Sequence, residues 1–281
     1  MFRLPPRIIL SRLLGGMKKT HLSIIVPAYR KEKTIVTDLK RIKKVLNNLR
    51  YKTELICVVD GNVDNTFQKA VLLSQKLRGI KVVGYPTNKG KGYAIRYGMA
   101  KSKGDLIAFI DAGMEISPNS LSMILEHFEW YKADVVVGSK RHPVSKVNWT
   151  PKRRLFSLGY QLLTRLLFGL RIKDTQVGLK CYRREVLEKV LPRLIVKKYA
   201  FDVEILAVAN YLGFTRMYEA PVEIDFSADS STSAAAASHI FKMLLDTAAI
   251  FYRLRILNYY SDSKRREWKH DPELNFRFNT I

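Results

Sequence analysis

Residues 107–115 read IAFIDAGME, an apolar run that stops at Asp111 and is followed by small residues and Glu115. A short apolar run of this kind predicts a buried strand. Ligands of open α/β sheets bind at the carboxyl ends of the strands, so a carboxylate here favours a metal or phosphate site. The alternative is that Asp111 caps a turn before a helix that begins near Ser117 and Pro118.

The segments around this run alternate between strand and helix. Strand-like runs are LSIIVPAY (22–29), ELICVVDG (54–61) and IKVVGYP (80–86), and helical periodicity covers about 32–49, 64–77 and 91–101. Such alternation is typical of an α/β fold with a mostly parallel, doubly wound sheet. Two of the four strands end in an aspartate, Asp60 and Asp111. This repetition favours a ligand site over a simple turn.

Glycines and cations open the helix expected at 91–101. The glycines do not match a dinucleotide fingerprint, because Ile95 stands at its third glycine position. They do not match a P-loop either, because Tyr93 follows Lys91 and Gly92 where Ser or Thr is required. Small residues and cations at a helix start still favour an anion such as a diphosphate. The cations are Lys89, Lys91 and Arg96.

The composition predicts a folded, strongly cationic protein. The chain has 281 residues, 47% of them hydrophobic, which suits one large α/β domain with an appendage and argues against disorder. The formal net charge of +24 indicates anionic partners, an acidic membrane surface or a phosphorylated substrate among them. Nucleic acid is the least favoured partner, because the basic residues are not interleaved with a recognition motif. Cys57 and Cys181 lack zinc or redox spacing, which fits a reducing compartment.

Neither end of the chain predicts a transmembrane span. Residues 1–20 are basic, but Arg12 interrupts their apolar stretch, so they predict an interfacial arm. Residues 238–257 are apolar yet contain four charged side chains, which a spanning helix of about 20 residues would exclude. We expect a basic amphipathic arm over 1–20, one α/β domain over 21–226, and a membrane-associating helix with a polar tail over 227–281.

The segment PKRRLFSLGYQLLTRLLFGL (151–170) predicts an amphipathic helix over about 152–168. Its polar side chains share one stripe, and apolar side chains cover the rest of its surface. So wide an apolar arc behind a basic start suits a helix in the bilayer interface. A helix buried between the sheet and the C-terminal segment has the same pattern, and the two interpretations are compatible on different faces. The polar stripe consists of Ser157, Gln161, Thr164 and Arg165.

Five sequence blocks follow one another along residues 22 to 226: PAY (27–29), VVDGNVDNT (58–66), TNKGKGYAIRYG (87–98), FIDAG (109–113) and DTQVGLK (174–180). Together they resemble family 2 glycosyltransferases. Within that family the resemblance is to the branch that makes dolichyl or polyprenyl phosphate sugars. It implies the GT-A fold, which binds a nucleotide-diphosphate sugar.

Three positions depart from the family's usual pattern at the donor site. Arg30 and Lys31 stand where Asn and Glu usually follow PAY. Asp60 stands alone where the family often has two acids. In FIDAG, Gly113 replaces the second acid of the DxD motif, which commonly holds the metal.

The resemblance implies a divalent cation, Mg²⁺ or Mn²⁺, in spite of these departures. Such an ion on a diphosphate keeps several waters and often needs only one or two protein carboxylates. Glu115 lies four residues beyond Asp111, so we expect these two acids to hold the cation. The alternative role for Glu115 is that of a first-turn acid at a helix N-terminus.

The resemblance also assigns residues to the donor and acceptor sides of the reaction. For the donor it implies Pro27, Tyr29, Asp60, Lys91, Gly92, Asp111 and Ala112. For catalysis and the lipid phosphate it implies Asp111, Lys140, Arg141, Arg153, Asp174 and Gln176. A lipid phosphate is already ionised near neutral pH, its second pKa being about 6, so no general base is required. Asp202 and Glu204 lie where hydroxyl-directed relatives place a base, and here we expect them to orient cations or stabilise a helix.

The resemblance therefore implies an inverting GT-A glycosyltransferase, and we expect it to be attached peripherally at the cytoplasmic side of the cell membrane. It would transfer one sugar from a UDP- or GDP-linked donor to polyprenyl or dolichyl phosphate. The block at 87–98 resembles the glucose-transferring branch slightly more closely. Two alternatives are a family 2 enzyme that acts on a hydroxyl of a cell-envelope glycan and a degenerate sugar-nucleotide-binding protein.

Overall fold

One sheet of seven strands forms the centre of the protein. The computed structural model describes residues 21–145, 151–196, 200–224, 236–262, 267–272 and 276–280. The strands of the sheet are β1 (His21–Ala28), β2 (Lys52–Asp60), β3 (Ile80–Tyr85), β4 (Leu106–Ile110), β5 (Val135–Ser139), β6 (Leu179–Arg183) and β7 (Met217–Pro221). They lie in the order β3-β2-β1-β4-β6-β5-β7.

The sheet is parallel except at β6. β1 pairs in parallel with β2 and β4, β2 with β3, and β5 with β7. β6 runs antiparallel between β4 and β5. The predicted α/β fold with a mostly parallel sheet is confirmed. The reversed strand was not predicted, because an apolar run does not report the direction of the strands beside it.

Helices connect the strands. They are α1 (Ile35–Asn47), α2 (Thr66–Lys76), α3 (Lys91–Lys101), α4 (Ser120–Trp130), α5 (Pro151–Phe168), α6 (Arg184–Val190), α7 (Phe201–Tyr211) and α8 (Ala236–Phe251). In α1 the buried apolar side chains recur every three or four residues, which places them on one face toward the core. Those side chains are Ile35, Leu39, Ile42 and Leu46.

Close packing fixes the position of α3. A Cβ on Gly98 would clash with the side chains of Ile25 on β1 and Val58 on β2, so only glycine allows α3 to lie this near the sheet. Because β1, β2 and β4 are parallel, their carboxyl ends share one edge of the sheet. The first turn of α3, at Lys91, lies at that edge beside Asp111.

The C-terminal part of the chain contains a helix and a hairpin. α8 continues as one π-helical turn, Tyr252–Ile256. The strands β8 (Glu267–Asp271) and β9 (Phe276–Thr280) pair in antiparallel fashion, and β9 lies near the short 3-10 turn Leu191–Arg193. The hairpin lies in the tail, for which the sequence predicted only a polar, peripheral segment. Of the helices in the described ranges, none combines the length and the apolar character that crossing a bilayer requires.

Candidate active site

Asp111 and Lys91 meet at the carboxyl edge of the sheet. Asp111 follows β4 directly, Lys91 is the first residue of α3, and Lys91 Nζ lies 2.7 Å from Asp111 Oδ2. Burial lowers the pKa of Lys91, but the charges of Asp111 and Asp202 outweigh burial and raise that pKa above its ordinary value. Lys91 is therefore a positioned cation at neutral pH.

A buried ion pair extends this contact into the core. Lys180 on β6 is fully buried, and its Nζ lies 2.6 Å from Asp202 Oδ1 and 2.6 Å from the carbonyl oxygen of Val177. Asp202 Oδ2 lies 3.8 Å from Lys91 Nζ. Burial lowers the pKa of Lys180, and the charge of Asp202 opposes that change. Carboxylates and ammonium groups thus alternate from Asp111 through Lys91 and Asp202 to Lys180.

Gly178 brings the DTQVGLK block against Asp111. The Asp111 N–H donates to the Gly178 carbonyl oxygen at 3.0 Å. A Cβ on Gly178 would clash with the Asp111 carboxylate, so glycine is required for this approach. The loop before β6 is therefore part of the same site.

Asp60 holds the glycine-rich loop that precedes α3. Its carboxylate accepts hydrogen bonds from the N–H groups of Lys89 at 2.7 Å and Gly90 at 3.0 Å, and from Asn88 Nδ2 at 3.0 Å. Gly90 has a φ of +98°, in the left-handed region that favours glycine. The loop leaves the first N–H groups of α3 and the Lys91 ammonium at the edge of the sheet, which suits an anion such as a diphosphate.

A cavity of about 350 Å³ has walls from α5, α8 and the loop at 173–177. Lys140 and Glu115 both line it, with 2.5 Å between Lys140 Nζ and Glu115 Oε1. The Asp174 carboxylate accepts a hydrogen bond from the Lys140 N–H at 3.1 Å. The cavity therefore contains a cation that the loop after β5 and the loop before β6 position together.

Gln176 offers an unpaired donor at the cavity. Its Nε2 is buried and has no hydrogen-bond partner among the residues that the structure describes. Tyr160 of α5, also in the lining, shares a 2.9 Å hydrogen bond with Thr247 of α8. Burial raises the pKa of Tyr160 to about 12, so its hydroxyl is neutral. An amide donor and a hydroxyl beside Lys140 suit a ligand with anionic and hydroxyl oxygens.

The two arginines expected at the acceptor side have different positions. Arg141 Nη1 lies 3.4 Å from the carbonyl oxygen of Ser157 on α5 and 3.2 Å from that of Lys173. Arg141 therefore ties α5 to the loop at the cavity. Arg153 belongs to the first turn of α5, and its side chain lies outside the part of the structure that is described.

The other residues expected at the donor side lie around the same sheet edge. Pro27 is near the end of β1, and Tyr29 follows that strand with its ring exposed beneath the guanidinium of Arg30. Gly92 is buried in the first turn of α3, and Ala112 follows Asp111 and is half-buried.

The surface of α5 and α8 beside the cavity is apolar. Thr164 of the predicted polar stripe is buried, and Ser157 and Gln161 line the cavity, so most of the stripe faces the protein. The apolar arc of α5 faces outward, and α8 adds further apolar side chains. Exposed apolar patches of this kind mark sites of interaction. The exposed side chains are Leu155, Phe156, Leu158, Leu162 and Leu166 on α5 and Phe241, Leu244 and Leu245 on α8.

The side chains at the expected metal position offer a cation one buried, unpaired carboxylate oxygen, that of Asp111. Asp111 Oδ1 is buried and has no hydrogen-bond partner among the described residues, whereas Asp111 Oδ2 accepts from Lys91. Glu115 is paired with Lys140, and Gly113 has no side chain to offer. Within the described ranges, no cluster of three or more His, Cys, Asp or Glu side chains could hold a metal ion. The expected ligand pair, Asp111 and Glu115, is thus engaged by two ammonium groups.

Sequence reasoning did not single out Lys180 or the position of Lys31. A lysine between Leu179 and Cys181 in β6 was the available signal for Lys180, because a buried lysine needs a partner. No pattern along the chain indicates that Lys31, at the turn after β1, lies against Gly113, because the two residues are brought together only by tertiary structure.

Solved structures share this architecture. Glucosyl-3-phosphoglycerate synthase from Mycobacterium tuberculosis, crystallised with Mn²⁺, UDP-glucose and phosphoglyceric acid, matches with a TM-score of 0.62 and 17% identity, covering 95% of this chain and 89% of that one. Mannosyl-3-phosphoglycerate synthase from Rubrobacter xylanophilus matches with a TM-score of 0.64 and 16% identity, covering 99% and 89%. The M. tuberculosis enzyme has also been crystallised with Mg²⁺ and UDP. These neighbours establish the GT-A fold.

Sequence comparisons agree with the fold. A dolichyl-phosphate beta-glucosyltransferase of Trichomonas vaginalis is 31% identical over 254 residues, which are 84% of this chain and 72% of that protein. The human dolichyl-phosphate beta-glucosyltransferase is 30% identical over 205 residues, 68% of this chain and 63% of that protein. The profile described as Glycosyl transferase family 2 matches residues 23–191. The chain therefore belongs to glycosyl transferase family 2 and is a glycosyltransferase.

Proposed function

We propose that this enzyme transfers glucose from UDP-glucose to dolichyl or polyprenyl phosphate at a membrane surface. One observation carries the proposal: the cavity that contains Lys140 and Gln176 is bounded by helices whose outward faces are apolar. A phosphate attached to a long hydrocarbon chain fits this combination, because its head needs a cation and its tail needs an apolar surface. The names of the sequence relatives support the same acceptor and sugar.

The donor would lie along the carboxyl edge of the sheet. Its diphosphate would meet the first N–H groups of α3 and the ammonium of Lys91, which Asp111 and Asp202 keep charged. Asp60 would act by holding the loop at 88–90 in place, since its carboxylate is already occupied by that loop. Pro27, Tyr29, Gly92 and Ala112 lie near enough to this edge to complete the donor site.

The acceptor phosphate would attack directly. An ionised phosphate oxygen forms the new bond to C1 of the sugar while the bond from C1 to the diphosphate oxygen breaks, and the electron pair leaves with the nucleoside diphosphate. Attack from the side opposite the leaving group inverts the configuration at C1. No proton has to be removed from the acceptor, so no general base is assigned. The positive charge of Lys140 binds the acceptor phosphate, and Gln176 donates a hydrogen bond to a ligand oxygen. Asp174 and Arg141 hold the loops around the phosphate in position.

The proposed reaction does not use a divalent cation held by the protein. The structural neighbours were crystallised with Mn²⁺ or Mg²⁺. Here the two expected ligands are paired with lysines, and Gly113 contributes none. The cationic side chains of this chain would therefore stabilise the departing diphosphate.

The same surface would bring the enzyme to its acceptor as a peripheral membrane protein on the cytoplasmic side. The apolar faces of α5 and α8 would enter the interface, and the net charge of +24 would favour anionic lipid. In this arrangement residues 21–226 form the catalytic domain and residues 227–281 add the membrane-associating helix and the hairpin. The proposed arm over residues 1–20 lies outside the described residues.

A transfer assay tests this function. The purified full chain is incubated with radiolabelled UDP-glucose or GDP-mannose, with and without dolichyl or polyprenyl phosphate, and the label is extracted into organic solvent. We expect glucose label in the lipid phase only when the lipid phosphate is present. Label on an added glycan alone would favour the hydroxyl-directed alternative, and nucleotide binding without transfer would favour a degenerate binding protein.

A further inference from the structure

Lys31 occupies the space that a second acid of the DxD motif would use. Its Nζ lies 2.7 Å from the point where a Cβ on Gly113 would be. Gly113 itself has a φ of +101°, which other residues rarely adopt. The left-handed backbone conformation disfavours an aspartate here, and the Lys31 ammonium lies close to where the side chain of such a residue would begin. A positive charge thus stands where the motif usually contributes a negative one.

The turn after β1 places Lys31 firmly. Its N–H donates to Thr66 Oγ1 at 2.8 Å, and its carbonyl oxygen accepts from the N–H groups of Thr34 at 3.0 Å and Ile35 at 2.8 Å. Arg30, just before it, has a φ of +52°. These contacts leave only the side chain of Lys31 free to adjust, and that side chain is directed to Gly113.

The charge of Lys31 has no partner in the described part of the chain. The side chain is half-buried, and no carboxylate there lies within ion-pair distance of its ammonium. The nearby acids are engaged elsewhere: Asp111 with Lys91, Glu115 with Lys140, and Asp38 with the Gly113 N–H at 3.0 Å. A half-buried ammonium without a counter-charge is available to bind an anionic ligand.

We infer that the Lys31 ammonium binds the diphosphate of the donor in place of a divalent cation. The inference rests on the proposed function, because it assigns a group to the same donor site. An ammonium is an established type of phosphate ligand and donates up to three hydrogen bonds. A divalent cation beside Gly113 would be repelled by Lys31 and would find one buried, unpaired carboxylate oxygen, that of Asp111, so the Lys31 ammonium and a metal ion compete at this position.

Titration calorimetry with the full chain tests the inference. UDP, and in parallel GDP, is titrated in EDTA and in MgCl₂ against the wild type, Lys31→Met, Lys31→Arg and Lys33→Met. We expect the wild type to bind one of the two nucleotides in EDTA with an affinity within about threefold of that in MgCl₂. Lys31→Met should weaken that binding about 10- to 100-fold, since it removes a charge-assisted contact.

The other variants separate charge from folding. Lys31→Arg keeps the cation and should retain binding in EDTA within about fivefold. Lys33→Met removes a charge from an exposed residue of the same turn and should bind as the wild type does. Uridine, which lacks phosphates, should not distinguish Lys31→Met from the wild type. Thermal melting of each variant shows whether it is folded.

Four outcomes would overturn the inference. Binding of the nucleotide only in MgCl₂, or equal binding by Lys31→Met and the wild type in EDTA, would do so while leaving the proposed transfer reaction standing. Stoichiometric loss of the free Mn²⁺ signal in electron paramagnetic resonance, on adding nucleotide-free protein, would show a metal site that Lys31 should exclude. Absence of nucleotide binding under every condition would overturn the donor site and the proposed function together.

Discussion

Replacing Asp202 by asparagine should destabilise the enzyme strongly. Asp202 contacts Lys180, which is fully buried, and its own side chain is 6% exposed. Asp202→Asn leaves the Lys180 ammonium without a counter-charge, and breaking a buried pair in this way costs about 3–5 kcal/mol. For a protein of this size that corresponds to a fall in Tm of roughly 6–20 °C. Urea unfolding followed by circular dichroism measures the free energy of unfolding.

The loss of stability in Asp202→Asn should depend on pH. Burial already lowers the pKa of Lys180 in the folded protein, and removing Asp202 lowers it further. The folded variant then binds fewer protons than the unfolded chain, whose lysine pKa is about 10.4, so its stability rises as pH approaches that value. The deficit relative to the wild type should therefore be larger at neutral pH than near pH ~9.5.

Two further variants control for the loss of charge and of shape. Glu188→Gln removes a negative charge from an exposed position on α6 and should change stability little. The double variant Lys180→Met with Asp202→Leu replaces the pair by apolar side chains and should recover most of the stability that Asp202→Asn loses. A destabilisation of less than about 1 kcal/mol in Asp202→Asn would refute the idea that Lys180 and Asp202 form a buried ion pair in which each charge stabilises the other.

The remaining predictions concern transfer and membrane binding. Asp111→Asn should reduce transfer about 100-fold or more with little change in Tm, because it releases the Lys91 ammonium that faces the diphosphate; near-normal turnover would contradict this role. Lys140→Met should raise KM for the lipid phosphate about 10- to 100-fold and leave UDP binding unchanged, and a parallel loss of UDP affinity would place Lys140 at the donor instead. Leu166→Glu, at a side chain 74% exposed on α5, should weaken sedimentation with anionic vesicles, whereas Leu72→Glu, 57% exposed on α2, should not; equal behaviour of the two would argue against an interfacial α5.

Some elements of the fold could be predicted from the sequence and others could not. The strands ending at Asp60 and Asp111 and the helix opening at Lys91 were predictable, because apolar runs, aspartates and glycines mark the ends of elements locally. The hairpin of β8 and β9 was missed, because its residues carry a polar composition that does not distinguish a strand from a loop.

The α5 helix shows both what the sequence pattern predicts and what requires the structure. Its amphipathic pattern was evident from spacing alone, but the pattern allowed either face to be covered. The structure places Ser157 and Gln161 at the cavity and leaves Leu162 and Leu166 exposed. The polar face of α5 is covered because α8 and the loop at 173–177 pack on that side, and the pattern of α5 alone does not predict this.

The strand-end aspartates and the cationic character of the protein could be taken from the sequence, since each is a property of one segment or of the whole composition, and five blocks along the chain indicated the fold family by resemblance. The pairing of the charges is visible only in the three-dimensional structure. That structure places Lys180 on the reversed strand β6 against Asp202, Asp202 near Lys91, and Lys31 against Gly113. Periodicity predicts which face of one helix or strand is buried. The partner of a charged side chain depends instead on which distant elements come into contact, and the spacing of residues along the chain does not predict that contact.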